Sequence, residues 1–428
     1  MDVVDVMDTR IRSERRYRLR GSIGRSWCRA GSASALSGFG VWLWTLTLVL
    51  LLIPDFAARA MESDLPVEIF AGTAPIPVRT DSSLVLAYEL HVTNFRAMDL
   101  TLERLRIFAV EDTVGSLAEY SSDSLTAMVW HPGVKADTSD ARLVRGGQRM
   151  VIFIWLQLPP AQPVPHVLSH RLTFAFSNAK GIRSERAVDG GITPVNAKDL
   201  APYPWPVPSG DWLVANGPSP SSDHRRAMHA LDGKSFVAQR FALDLMKFGS
   251  DGRLWHTDPF RNENWYGYGQ NVLAVGAGEV LAITDSVPEN TPLAPSRATT
   301  MTRANICGNY VLLRHGPKEY TLYAHLRPGG ITVKLGDKVK QGDLLGTIGN
   351  SGNSDAPHLH FQAIDGPSAL ASEGIPFVFA RFTLLSVLAP SDLDSMLASG
   401  EVPKRGVPFP EQNRRHEIPT GNMIIRVP

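Results

Sequence analysis

Two histidines stand one residue apart in the run Pro357-His358-Leu359-His360-Phe361-Gln362. Side chains on a strand alternate between its faces, so His358 and His360 would share a face. A pair of imidazoles on one face suits a metal site or an acid–base site. It also occurs as two ordinary strand histidines satisfied by their neighbours. Other residue types that do chemistry accompany the pair: the strand-like end Tyr323-Ala324-His325-Leu326, and Asp244 further upstream. Imidazole and carboxylate are ligands that zinc takes. An imidazole with an ordinary pKa near ~6.5 also serves as general base or acid at neutral pH.

The elements that must position these residues read as β structure. From about residue 210 to residue 382 short alternating runs are punctuated by glycine at nearly every turn. Residues 272–275 and 279–283 are short strands on either side of Gly276-Ala277-Gly278. Residues 310–314 and 320–325 form a hairpin around His315-Gly316-Pro317-Lys318-Glu319. No long helical period interrupts the pattern, and an antiparallel β-roll or folded sheet is expected.

Upstream, residues 61–198 carry strand signals at 83–92, 100–108, 150–156 and 170–176, separated by Gly, Pro, Asp and Ser turns. This pattern predicts a small β-sandwich. No chemistry is evident there: His166 and His170 read as incidental, and the module is structural or interactive. Residues 199–212 include Pro202-Tyr203-Pro204-Trp205-Pro206-Val207-Pro208, expected to be a semi-rigid linker or a packed crossover between domains spanning 61–198 and 213–385. Residues 386–428 are expected to form a tail with a short helical segment at 391–397. The fold class is thus all-β, a sandwich followed by a β-roll.

Length and charge bound the function. A chain of 428 residues accommodates two or three domains, and a net charge of +1 gives no reason to expect a nucleic-acid partner. Two cysteines, Cys28 and Cys307, build neither a disulfide framework nor a Cys-x-x-Cys metal site. An arginine-dense stretch, an apolar run over 39–53 and Ala58-Arg59-Ala60 together describe a secretory signal peptide over residues 1–60, or an uncleaved N-terminal anchor. The expected location is periplasmic or extracellular, with membrane attachment only if the leader is retained.

The order Gly336-Asp337-x-Val339-x-x-Gly342-x-x-x-Gly346-x-x-Gly349-x-Ser351-Gly352, followed by the His-Leu-His-Phe run, resembles the M23 (LytM-type) family of zinc metallopeptidases. Members of that family cut peptide bonds in bacterial cell-wall peptidoglycan. The resemblance runs from about residue 240 to residue 379. It implies a peptidase-like β-roll, one zinc ion, Asp244 and His360 as metal ligands, and His325 and His358 as catalytic histidines.

One position departs from the pattern. The family's first ligand is a histidine four residues before the aspartate, and here that residue is Arg240. A guanidinium stays protonated and has no lone pair for a metal. Two readings follow. In the first, a histidine from elsewhere completes the site: His224 in a polar loop is the foremost candidate, then His229, then His256. Arg240 would then hold Asp244 in place or face the scissile carbonyl. In the second, Arg240 simply pairs with Asp244, and the domain is a metal-free module that binds cell wall or regulates another hydrolase. Tyr266 and Tyr268, ahead of a strand, are candidates to line a cleft for an extended peptide.

Overall fold

The computed structural model describes residues 65–80, 83–112, 115–134, 141–159, 161–178, 180–399 and 410–428. The expected leader over 1–60, with Cys28, lies outside the described residues. Among the described residues no helix is long and apolar enough to cross a membrane.

Residues from Leu65 to about 195 form two five-stranded antiparallel sheets. In one, the strands Val67–Ala71, Ser83–Asn94, Arg149–Leu158 and Val129–Trp130 run side by side, and Val78–Thr80 pairs with Ser83–Asn94. In the other the order is Arg183–Pro194, Val167–Ser177, Leu100–Ala109 and Ala118–Ser121, with Leu143–Val144 on Leu100–Ala109. Leu86, Tyr88, Leu90, Leu102, Leu105, Ile152, Leu172 and Phe174 fill the space between them.

The Ser83–Asn94 strand is buried on both faces, which explains its nearly unbroken apolar run. Its alternate residues Val85 and Ala87 join a second core together with Trp212, Leu243, Tyr323, Phe361 and Phe379. Residues 65–132 and 136–428 are accordingly one compact unit. The proline-rich stretch packs as a crossover: Trp205 and Val207 are buried, and Trp205 stacks on Phe379 with ring centroids 3.7 Å apart.

The second half is organised on one ten-stranded antiparallel sheet. Its central strands are, in spatial order, Asn309–Gly316, Glu319–Leu326, Leu359–Ile364, Leu243–Lys247, Gly210–Ala215, Met423–Val427 and Phe382–Val387. The hairpin expected over 310–325 is present, with Gly316 opposite Glu319 and Lys318 at φ +58° in the turn.

The expected tail from 386 is corrected. A helix does occupy Pro390–Ser399, but Met423–Val427 returns as an interior strand between Gly210–Ala215 and Phe382–Val387. The cause is the run Met423-Ile424-Ile425-Arg426-Val427, whose four apolar side chains are all buried, a short strand signal after proline-rich sequence.

Candidate metal centre

Three adjacent strands place the chemistry. Asp244 lies opposite His360 across the Leu243–Lys247 and Leu359–Ile364 pair, and His360 lies opposite Ala324 on its other side. His325 follows Ala324 but sits at φ +62°, in the left-handed region that a non-glycine residue adopts only under local constraint. The constraint is visible: its N–H donates to the Cys307 carbonyl at 3.1 Å and its carbonyl accepts from Gly349 N–H at 3.1 Å. The glycine turn closes on it too. A Cβ at Gly349 would meet Arg327 N at 2.4 Å, so only glycine fits there.

His224 arrives from outside the sheet. The Gly210–Ala215 strand pairs Ala215 with Asp244, and the next residue, Asn216, turns the chain at φ +50°. The Asn216 side-chain oxygen accepts from the Ser222 hydroxyl at 3.0 Å and from Asp223 N–H at 3.1 Å. A four-residue helix, Asp223–Arg226, is thereby pinned to the strand beside Asp244, and His224 on it is buried. Its Nε2 lies 3.3 Å from Asp244 Oδ2. One ligand atom from each of His224, Asp244 and His360 lies within 4.8 Å of the others.

The second coordination layer fixes which nitrogen of each ring is free. His224 Nδ1 donates to the Asn216 carbonyl (3.0 Å), His325 Nδ1 to the Ser351 carbonyl (2.8 Å) and His358 Nδ1 to the Ala356 carbonyl (2.8 Å). His360 Nε2 donates to Gln362 Oε1 at 2.8 Å, with the Gln362 amide nitrogen turned to the Ala369 carbonyl. Each acceptor demands an N–H, so the opposite nitrogen of each ring carries a lone pair. Three of those nitrogens converge on one carboxylate: His224 Nε2 on Oδ2 at 3.3 Å, and His358 Nε2 (3.3 Å) and His360 Nδ1 (3.0 Å) on Oδ1 of Asp244. Lone pairs facing a carboxylate at hydrogen-bond distance repel unless a cation lies among them. The donor set therefore fits a metal ion, and two histidines, an aspartate and an open position are the composition of a catalytic zinc site.

The same carboxylate also favours positive charge on the groups beside it. Burial alone would raise the Asp244 carboxyl, yet the imidazoles of His224, His358 and His360 hold it well below the usual range. Burial lowers His224 to about 4 against the pull of Asp244, and burial together with the neighbouring imidazoles keeps His325 well below an ordinary histidine. Burial opposes protonation of His358 as well, but Asp244 outweighs it and raises that pKa. The His325 ring centroid is 4.9 Å from that of His358 and 5.7 Å from that of His360, so both candidate catalytic imidazoles border the cluster.

Arg240 lies elsewhere, and the expectation that it pairs with Asp244 or holds it in place is corrected. It occupies a turn before that strand, buried, with its guanidinium on Glu89, Glu373 and the Gly374 carbonyl. Those acidic partners, one of them 151 residues away in sequence, draw it away from the site. His229 belongs to a small hairpin, Lys234–Phe236 being its partner strand, and is not in the ligand group. His256 also lies outside it and packs on Tyr266 with ring centroids 5.5 Å apart.

Tyr266 and Tyr268 are both half-buried. The Tyr266 hydroxyl donates to Asp251 at 2.9 Å and the Tyr268 hydroxyl to Glu289 at 2.7 Å, while Arg327 lies over the Tyr268 ring. Gly267 between them approaches the Pro357 carbonyl beside His358. Burial pushes the Cys307 thiol up to about 12, which leaves it inert at neutral pH. Sequence reasoning missed Gln362 and Asn216. Gln362 had a signal, since it continues the His358, His360 alternation by one step; Asn216 had none.

The fold and the site together make an all-β domain with a clustered His/Asp/His centre that suits a metal ion. Residues 266–370 match the model of peptidase family M23. The matched segment contains His325, His358 and His360; His224 and Asp244 lie before it. Over 55 residues the chain is 47% identical to an uncharacterized metalloprotease of Buchnera aphidicola, covering 13% of this chain and 14% of that one. Over 82 residues it is 40% identical to the peptidoglycan DD-endopeptidase ShyA of Vibrio cholerae, covering 18% of this chain and 19% of that one. The chain thus spans less than a fifth of the length of these curated relatives. A crystal structure of a zinc-containing peptidase from Vibrio cholerae aligns over 70% of this chain and 85% of its own, at 18% identity and a TM-score of 0.23.

Proposed function

We propose that this protein is a zinc endopeptidase acting outside the cytoplasm on peptidoglycan peptides or a similar extended peptide. One observation carries the reading: His224 stands against Asp244 and His360 with its lone pair inward, supplying the third ligand that Arg240 cannot. Zinc held there by His224, Asp244 and His360 would acidify a water and polarise the scissile carbonyl.

The protein's own groups do the rest. His325 and His358 each commit Nδ1 to a backbone carbonyl and keep Nε2 for chemistry. One of them takes the proton of the attacking water, and the same proton is then available to the leaving amine. The other, once protonated, donates to the carbonyl oxygen as it gains charge. Tyr266 and Tyr268 line the approach beside Pro357 and hold an extended chain. The cell-wall substrate is supported by the family and by what ShyA is named for, and export by the leader-like sequence over 1–60.

The metal-free reading, a module that binds wall or activates another hydrolase, drew its force from Arg240. The engagement of Arg240 by Glu89 and Glu373, with His224 facing Asp244, supports the metal-binding reading instead. The test is elemental analysis of chelator-free protein together with release of soluble peptides from purified sacculi. One zinc per chain and peptide release abolished in His358→Ala are expected. A folded protein that takes up no zinc, or holds it and never cleaves, refutes the proposal.

A further inference from the structure

The helix that carries His224 is gripped on both sides. On one side is Asn216, at the end of the strand beside Asp244. On the other is the N-terminal sandwich. Arg225, the residue after His224, sends its guanidinium away from the metal ligands to Glu89 on the Ser83–Asn94 strand, and its Nη2 also donates to the carbonyls of Tyr88 (2.8 Å) and Ile154 (3.0 Å). Arg226 donates to the Ala127 carbonyl, and both guanidinium groups lie 5.2 Å from the Phe153 ring. Every one of these partners belongs to the sandwich.

Glu89 is the hub. Its Oε1 also accepts from Arg240 Nε at 3.2 Å and its Oε2 from Arg240 Nη2 at 2.7 Å, and Arg240 continues to Glu373 at 2.6 Å. Two arginines and two glutamates balance in charge, and Glu89, Arg225 and Arg240 are 2%, 1% and 3% exposed. Burial would raise the Glu89 carboxyl, but the two guanidinium groups hold it down at about 2, so it is ionised at any working pH. A buried ion network replaced by apolar residues is often no less stable, so its presence argues little for stability, and its best-attested use is to fix one arrangement. What it fixes here is the backbone on either side of the loop that departs from the sheet after Ala215 and returns at Leu243.

We infer that Glu89 is a positioning residue for the metal centre: through Arg225 it holds His224 at coordinating distance, so the sandwich is a structural part of the catalytic site. This rests on the metal reading above. The sandwich face that a separate module would expose to solvent is instead the support of a ligand.

The test compares full-length wild type, His224→Ala, Glu89→Gln and Arg225→Lys by zinc titration against a chromophoric chelator and by the visible spectrum of the cobalt(II)-substituted proteins. Glu89→Gln is expected to lose tenfold or more in zinc affinity, the scale seen when a group orienting a ligand is removed. Its cobalt spectrum should move toward that of His224→Ala, and adding Glu89→Gln to His224→Ala should change neither readout further. A folded Glu89→Gln protein with wild-type affinity and spectrum overturns the inference. Arg225→Lys decides the matter if Glu89→Gln does not fold, because lysine keeps the charge and cannot span Glu89 and two carbonyls at once: a wild-type spectrum there also overturns it. Wild type that binds neither metal would instead remove the metal reading itself, a different failure from a bound metal indifferent to Glu89.

Discussion

Moving the histidine back to its usual place should not work. The variant is His224→Ala combined with Arg240→His, which restores the His-x-x-x-Asp spacing of the family pattern. The structure sets two magnitudes. Removing His224 deletes one of three ligand donors, which should cost at least the upper end of an orienting-group effect. That is about 100-fold in zinc affinity, or roughly 2.7 kcal/mol. The new histidine cannot recover it, because residue 240 sits in a turn whose side chain enters the acidic pocket of Glu89 and Glu373. Both carboxylates lie within hydrogen-bond reach of one nitrogen, Arg240 Nη2, and Arg225 is left as the guanidinium facing Glu89. Breaking a buried pair by removing one partner costs about 3–5 kcal/mol. Against a typical total of about 5–15 kcal/mol, Arg240→His alone should be marginally folded. Urea denaturation in the presence of chelator measures the second quantity, and competition titration of zinc the first. The reasoning is refuted if Arg240→His is as stable as wild type, or if the double variant binds zinc as wild type does.

Other outcomes follow from the same geometry. His325→Ala and His358→Ala should keep zinc while losing peptide hydrolysis by about 100-fold or more, measured as peptide release from sacculi alongside elemental analysis. Gln362→Leu leaves His360 Nε2–H without its acceptor and should weaken zinc binding about 10–100-fold in the same competition assay. Ile425→Ala in the interior strand should destabilise by about 2–5 kcal/mol in urea denaturation. Acid stability should depend on His170, which burial lowers to about 4 from an ordinary 6.5 and which is bonded to the Tyr88 hydroxyl at 2.8 Å and the Gly191 carbonyl at 3.0 Å. Because its folded pKa lies below its unfolded one, the unfolded chain takes the proton first. Its contribution is full above pH 6.5 and lost as pH falls toward 4, on the order of 3 kcal/mol. The slope of stability over that window should flatten in His170→Gln.

The β class, the hairpin over 310–325 and the shared face of His358 and His360 were legible because local alternation and turn residues decide them. Asp244 and His325 were legible by their order relative to the glycine motif. The place of Arg240 was not. Its spacing from Asp244 suggested that the two pair, whereas the side chain answers to Glu89, 151 residues earlier, through tertiary pairing that no local pattern encodes. A hint existed: Glu89 interrupts the apolar run Leu84–Val92, and an ionised residue inside a doubly buried strand needs a charged partner. His224 could be ranked ahead of His229 only by its place in a polar loop, since Asn216, which pins its helix, is an unremarked loop residue by sequence. The Met423–Val427 strand was hidden by its shortness and by the proline-rich sequence before it.

That strand has a consequence for biosynthesis. Gly210 pairs with Val427 and Val214 with Met423, so the edge beside the Asp244 strand waits for a partner made roughly 210 residues later, on the order of 10–40 s at ordinary translation rates. Until then the Gly210–Ala215 strand presents an unpaired apolar edge, the kind of surface that recruits another chain or a chaperone. The strand that carries Asn216 at its end is thus the last part of the sheet to be enclosed. A nascent chain would emerge with Asp244, His325, His358 and His360 already synthesised and their scaffold still open, so the activity proposed above would wait for the Met423–Val427 strand.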